Sequence, residues 1–229
     1  MDFVYICRDG DNEELRYSIR SVINSFPEAK VWVVGGKPNW YVGNYIDVGQ
    51  IGLKYNNAIN NLNALCNSEE ISDDFVLMND DFFILKQIDT IKYFHGGSLS
   101  NKINRFKQLS RGSAYIKKLM VTEQTLKDYN VASPLDYELH VPMIMNKNKL
   151  KTIIDKDQNC LWRSLYGNLF NVGGIETTDV KIYHSNANQS ISYKITNDSV
   201  YASTDDITFK EVWATTLKKS FPHKTIYEK

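Results

Sequence analysis

Two adjacent carboxylates, Asp80 and Asp81, stand between the apolar runs of FVLMNDDFFIL (Phe75 to Leu85). Neither suits the core that such runs build, because burying an unpaired carboxylate costs several kcal/mol. A hard divalent cation would offset the repulsion, since Mg²⁺ and Mn²⁺ take carboxylate oxygens and commonly bridge to phosphates. Asn-Asp-Asp is also good turn chemistry. The spacing leaves both readings open: a metal site on Asp80 and Asp81, and a plain turn.

Cationic residues supply a second sign. Arg16 and Arg20 are four residues apart on a helix-forming stretch, so they share one face, and Arg8 lies just upstream. Arg holds phosphate in a bidentate way, and these three could grip a diphosphate near a metal on Asp80. The alternative for Arg16 and Arg20 is a solvated face paired with Glu13 and Glu14. His140, before the apolar run VPMIM, has the pKa range of a general base for a hydroxyl. Arg163 could bind phosphate, and Trp40 could cover a base or sugar ring. Asp205 and Asp206 stand where Ser-Thr-Asp-Asp also reads as the cap of a last helix.

The elements that would position these groups form an alternating pattern. Phe3 to Cys7 reads as a buried strand, and Leu15, Ile19, Val22, Ile23 and Phe26 as one helical stripe, with Asp11 and Glu14 resembling a capping box. Lys30 to Val34 is a second strand closed by Gly35-Gly36, giving β-α-β, the unit of a parallel sheet covered by helices. A helix from Leu53 to Cys66 and a strand from Phe75 to Met78 extend the sheet. The carboxylate pair then falls beyond the carboxyl end of a strand, where open α/β sheets bind ligands. VPMIM and VKIY are further strands, Leu161, Leu165 and Leu169 mark a short helix, and Phe209, Val212, Trp213 and Leu217 share a face of the last one.

From Thr90 to Thr122 there is no acidic residue, while Lys102, Arg105, Lys107 and Arg111 accumulate beside Phe94, Phe106 and Tyr115. This is read as a mobile, basic excursion at about 90–122, a candidate nucleic-acid contact. With 229 residues, 42% of them hydrophobic, the chain can bury the core of one large domain, expected to span 1–229. Lys plus Arg (27) balances Asp plus Glu (27), so no bulk field points to nucleic acid or membrane. Three scattered cysteines suit reduced thiols, no disulfide is expected, and the absence of an export-like or membrane-long apolar run predicts a cytoplasmic protein.

DNEELRYSIRSVINSFPEAKVWVVGGKPNWY, followed by DDFVLMNDDFFIL, resembles the second conserved region of the Stealth family of sugar-phosphate transferases. ELHVPMIMNKNKL resembles the third region, Trp162-Arg163-Ser164 the arginine segment after it, and STDDITFKEVW with FPHKTIYEK the fourth. The opening FVYICRDGD is shorter than that family's first region and lacks its Trp, which bears on the acceptor and on the bond broken. The resemblance implies a GT-A-like (Rossmann-like) α/β fold, a central mostly parallel sheet flanked by helices in a single domain. It implies a metal-dependent transferase moving a sugar or sugar-1-phosphate from a nucleotide-sugar to a hydroxyl on a carbohydrate acceptor, with Mg²⁺ or Mn²⁺. The site residues it implies are His140, Asp81 and Asp205 as catalytic groups, Asp80, Asp81 and His184 as metal ligands, and Arg8, Arg16, Arg20, Arg163 and Trp40 at the donor. Two alternatives stand beside it: a phage-type DNA glycosyltransferase acting on a hydroxymethylated base through Lys102, Arg105, Lys107 and Arg111, and a non-catalytic sugar-binding module.

Overall fold

A computed structural model describes residues 1–109, 113–184 and 198–229. In chain order the first half contains β1 (Asp2–Cys7), α1 (Glu13–Ser25), β2 (Lys30–Gly35), β3 (Asn44–Asp47), α2 (Lys54–Asn67), β4 (Asp74–Met78) and β5 (Phe82–Ile84). Next come β6 (Phe94–His95), α3 (Leu99–Gln108), α4 (Ser113–Asp128), β7 (Met143–Asn146), α5 (Lys147–Lys156) and α6 (Trp162–Leu169). The rest is β8 (Ile175–Glu176), β9 (Lys181–Ile182), β10 (Tyr201–Thr204), a helical turn α7 (Asp206–Thr208), a π-helical turn over Phe209–Trp213, and α8 (Ala214–Ser220).

These elements fall into two compact units, one of Met1–Ile91, His140–Ile144 and Val180–Lys229, the other of Lys92–Leu139 and Met145–Asp179. The first holds β1 to β4 and the start of β7, strands of the five-stranded sheet ordered β3-β2-β1-β4-β7, in which β1 runs parallel to β2 and β4, and β2 parallel to β3. β1 explains the apolar opening run. As an inner parallel strand it is covered on both faces, and Phe3, Val4 and Tyr5 are wholly buried. Gly35 ends β2 at φ +110, where a Cβ would lie 2.3 Å from the Cys7 carbonyl oxygen, so only glycine lets the two strand ends approach.

β5 pairs antiparallel with β10, and β10 parallel with β9, in a separate three-stranded sheet. Tyr17 of α1, Phe83, Ile182, Phe209, Trp213 and Leu217 pack it against the last helices. The i, i+4 spacing of Phe209, Trp213 and Leu217 survives the π-helical turn, in which the Ala214 N–H donates to the Phe209 carbonyl.

The second unit contains the segment expected as a mobile, basic excursion. Residues Leu99–Gln108 and Ser113–Asp128 are helices, with Leu99, Ile103, Leu119 and Leu126 buried. Their apolar positions are sparse and diluted by lysines, which hid the helical period. Beside them, β6 and β8 form a short parallel pair.

Candidate active site

The loop leaving β1 builds the first wall. Asn12 adopts a left-handed conformation, φ 39 and ψ 66, which asparagine tolerates better than most residues. Its Oδ1 accepts from the Leu15 N–H at 3.2 Å and caps α1, so the cap is Asn12 in place of the expected Asp11. Its Nδ2 donates to Asp80 Oδ2 at 2.7 Å. One side chain thus fixes the start of α1 and one carboxylate of the pair.

The second wall is the turn between β4 and β5, closed by the Phe82 N–H donating to the Asn79 carbonyl at 3.2 Å. Both expectations for Asn79-Asp80-Asp81 therefore meet: it is a turn, and it lies at the carboxyl end of an inner parallel strand. Helix α1 holds the far side of that turn with its serines. Ser18 Oγ donates to the Phe82 carbonyl, and Ser21 Oγ accepts from the Ile84 N–H at 3.0 Å.

The two aspartates have different surroundings. Asp81 is buried, and its Oδ2 accepts from Lys181 Nζ and from Ser203 Oγ at 2.7 Å. Lys181 stays cationic because Asp81 outweighs the burial that pulls its pKa down. Among the described residues the close donor to Asp80 is the neutral Asn12 amide alone, and burial and then the Asp81 charge push its pKa up to about 6. Glu14, in the first turn of α1, is 6% exposed, and its Oε1 is buried with no hydrogen-bond partner. Burial, then the charges of Asp80, Asp81 and Asp206, push its pKa up to about 8.

A cavity of about 610 Å³ opens here, lined by Arg8, Asn12, Glu14, Tyr17, Asp206 and Lys210 among others. That volume suits a small organic ligand. Arg8, largely exposed at the rim, donates from its Nη2 to both carboxylate oxygens of Asp206, at 2.7 and 2.6 Å. Such an exposed pair is weakly held, about 0–1 kcal/mol, so a phosphate could displace the carboxylate.

Several predicted residues lie elsewhere. Arg20 is buried, its Nε and Nη2 donating to Glu228 and its Nη1 to the Phe221 carbonyl at 3.0 Å. Its guanidinium is spent on the C-terminal tail, which removes it from the donor set. Arg16 pairs with Glu13 at 2.8 Å and Glu228 at 3.2 Å, and lies over the Trp40 ring at 4.3 Å. Trp40 is itself buried, with its Nε1 donating to the Asp11 carbonyl at 2.6 Å. Arg16, Arg20 and Trp40 thus form a clamp on the tail. Arg163 belongs to the second unit, where it is buried and donates to the Tyr137 carbonyl at 3.2 Å.

Asp205 proves to be a cap. Its Oδ1 accepts from the Thr208 N–H at 2.8 Å and its Oδ2 from the His184 N–H at 2.9 Å. Burial raises its pKa, but these backbone donors outweigh that and hold it low, which suits a cap and not a base. His184 is exposed, with Nδ1 3.5 Å from Glu211, and no contact joins its ring to Asp80 or Asp81. Asp81 Oδ2, expected to face a metal or a proton, is instead taken by Lys181 and Ser203. His140 packs edge-on against the Phe82 ring at 6.0 Å, beside the acidic turn.

Of the proposed nucleic-acid contacts, Lys102 is turned inward, 9% exposed, in an ion pair with Asp136 at 2.8 Å. Arg105 and Lys107 lie exposed in the last turn of α3, where their charge complements the helix dipole. Arg111 lies outside the described residues.

Asn12, Glu14 and Lys181 enter the site without having been picked from the sequence, and Asp206, read there as a cap, faces Arg8. Glu14 was legible only as a cap partner, and Lys181 sits 100 positions from the aspartate it neutralises. Among the described residues no three His, Cys, Asp or Glu side chains come together as a group able to hold a metal. Mg²⁺-type sites built from one or two carboxylates and completed by substrate phosphates need no such group. Asp80 and the orphaned Glu14 oxygen fit that pattern.

No protein-family model matches the chain, and no curated protein matches it. Its fold is similar to that of the galactosyltransferase LgtC in complex with donor and acceptor sugar analogs, with a TM-score of 0.50 at 12% identity, over 98% of this chain and 96% of that one. An active-site mutant of LgtC aligns at 0.49 and 12% identity, covering 99% and 98%. The apo form of the glycosyltransferase GlyE of Streptococcus pneumoniae TIGR4 aligns at 0.41 and 9%, covering 96% and 63%. The chain has the mixed α/β fold of GT-A glycosyltransferases, a central mostly parallel sheet flanked by helices.

Proposed function

We propose that this chain is a nucleotide-sugar-dependent transferase that moves a sugar or a sugar-1-phosphate to a hydroxyl of a carbohydrate acceptor, with a divalent cation. The observation that carries this reading is the meeting of Arg8 and the Asn12–Asp80 pair at the carboxyl edge of the parallel sheet, beside a ligand-sized cavity. The fold and the Stealth-like motifs support it. A phosphate-gripping Arg and a carboxylate left without a countercharge are what a diphosphate carried with a cation needs, whereas a sugar-binding module needs neither.

Each residue then has a task. Arg8 leaves Asp206 for the diphosphate of the donor, an exchange of one charge-assisted pair for another. Asn12 keeps Asp80 oriented. Bound at Asp80, the cation would neutralise charge on the departing phosphate. Lys181 keeps Asp81 from competing for it. His140, beside the turn, takes the proton of the attacking hydroxyl. The membrane plays no part in this reading, and no helix among the described residues is long and apolar enough to cross one.

Calorimetric titration with nucleoside diphosphates tests the reading. The wild type should bind in the presence of Mn²⁺, and Arg8→Ala should weaken binding at least tenfold. Equal binding by both proteins would remove Arg8 and the cavity from the donor site.

A further inference from the structure

Charge accounting around the β4–β5 turn leaves an imbalance. Asp81 is matched by Lys181, and Asp206 by Arg8. Among the described residues Asp80 receives a neutral amide and Glu14 Oε1 receives nothing, although Glu14 is only 6% exposed and lines the cavity. Asp80 and Glu14 Oε1 therefore lack a cationic hydrogen-bond partner among the described residues, and they lie close enough for the Asp80 charge to act on Glu14. Burying either costs several kcal/mol unless something cationic joins them. A buried carboxylate oxygen with no donor is rare in folded proteins and calls for an unseen partner.

We propose that Glu14, reaching from the first turn of α1, is a ligand of the divalent cation together with Asp80, and that Asp81 and His184 are not ligands. This rests on the reading that the site works with a divalent cation. One M²⁺ would balance the two carboxylates, the Glu14 proton being released as the ion binds. Oxygen ligands select a hard ion of the Mg²⁺ or Mn²⁺ kind, and the open side of the shell faces the cavity, where phosphate oxygens and water complete it. Lys181 and Ser203 occupy the Asp81 oxygen that would otherwise compete. The consequence is a site split between two elements, α1 and the β4–β5 turn, with Asn12 tying them together.

The test is direct titration of the full chain with MnCl₂ alone, reading free Mn²⁺ by electron paramagnetic resonance. The wild type should bind one ion. Glu14→Gln and Asp80→Asn should each weaken binding at least tenfold, while His184→Ala should bind as the wild type does. Thermal melts without metal verify that the variants fold, and Glu14→Gln should melt close to the wild type at neutral pH because the amide matches the shape of the protonated carboxyl. Wild-type affinity in Glu14→Gln would overturn the proposal. If Asp80→Asn then still loses the ion, the cation-dependent transferase reading survives and only the Glu14 assignment falls. No Mn²⁺ binding by the wild type at millimolar concentration overturns the assignment as well, and turnover in EDTA then judges the cation-dependent reading separately.

Discussion

Asn12 and Asp80 meet through a 2.7 Å hydrogen bond while the other end of the same Asn12 side chain caps α1. The start of the helix and the acidic turn are therefore one mechanical unit. Asn12→Ala should lose both contacts and about 0.5–2 kcal/mol of stability, the usual range for an N-cap. Asn12→Asp keeps a capping oxygen but turns a carboxylate toward Asp80. It should melt closer to the wild type at acid pH and fall behind as Asp80 ionises. Thermal melts of the two variants across pH separate capping from the Asp80 contact, and identical behaviour would show that the contact carries no energy.

Glu228 is the anchor of the C-terminal clamp, wholly buried and bonded to Arg20 at 2.7 Å and Arg16 at 3.2 Å. Removing one partner of a buried pair costs about 3–5 kcal/mol because the other charge is left uncompensated. Glu228→Ala should accordingly lower the melting temperature sharply. Arg20→Met combined with Glu228→Leu should recover part of the loss, since it removes both charges together. A single variant that melts like the wild type would show that the tail contributes nothing to stability.

The raised carboxylates set a pH dependence whose sign follows from linkage. Glu14 titrates at about 8 in the folded chain and near 4.3 when unfolded. Between those values the folded state holds a proton that the unfolded state has lost, so unfolding free energy falls as pH rises. The Glu14 contribution is fully present below the unfolded pKa and lost as pH passes about 8. Asp80, raised to about 6, acts in the same direction over a lower window. Metal-free protein should thus lose melting temperature from mildly acid to mildly alkaline pH, and Glu14→Gln should flatten that decline. An equal slope in the variant would contradict the assignment.

If His140 takes the acceptor proton, His140→Ala should lower the maximal rate by about 10²–10⁴ with little change in donor affinity. The wild-type rate should rise with pH through an imidazole limb that the variant lacks. A lower melting temperature with a normal specific rate would instead mark His140 as a packing residue against Phe82.

β1, β2 and β4 were legible because they are buried along most of their length, whereas the half-exposed edge strand β3 was not read. FVYIC, KVWVV and FVLM are continuous apolar runs, and the helices between them carry clean stripes. The acidic turn was legible for the same reason, since carboxylates interrupt apolar runs visibly. The partners of those carboxylates were not. Lys181 pairs with Asp81 across 100 positions and Arg20 with Glu228 across 208, and no local period encodes such contacts. Arg16 and Arg20 share a face as their spacing requires, but that face meets the tail. The helices Leu99–Gln108 and Ser113–Asp128 were hidden because lysines interrupt their apolar positions.

The central claim is tested most directly by incubating the purified chain with Mn²⁺ and a panel of nucleotide-sugars and measuring the mass of the nucleotide released. The account predicts release from at least one donor, abolished by EDTA and by Asp80→Asn. Nucleoside monophosphate would mark sugar-phosphate transfer, and diphosphate would mark glycosyl transfer. No release from any donor, or release that persists undiminished in Asp80→Asn, would contradict it.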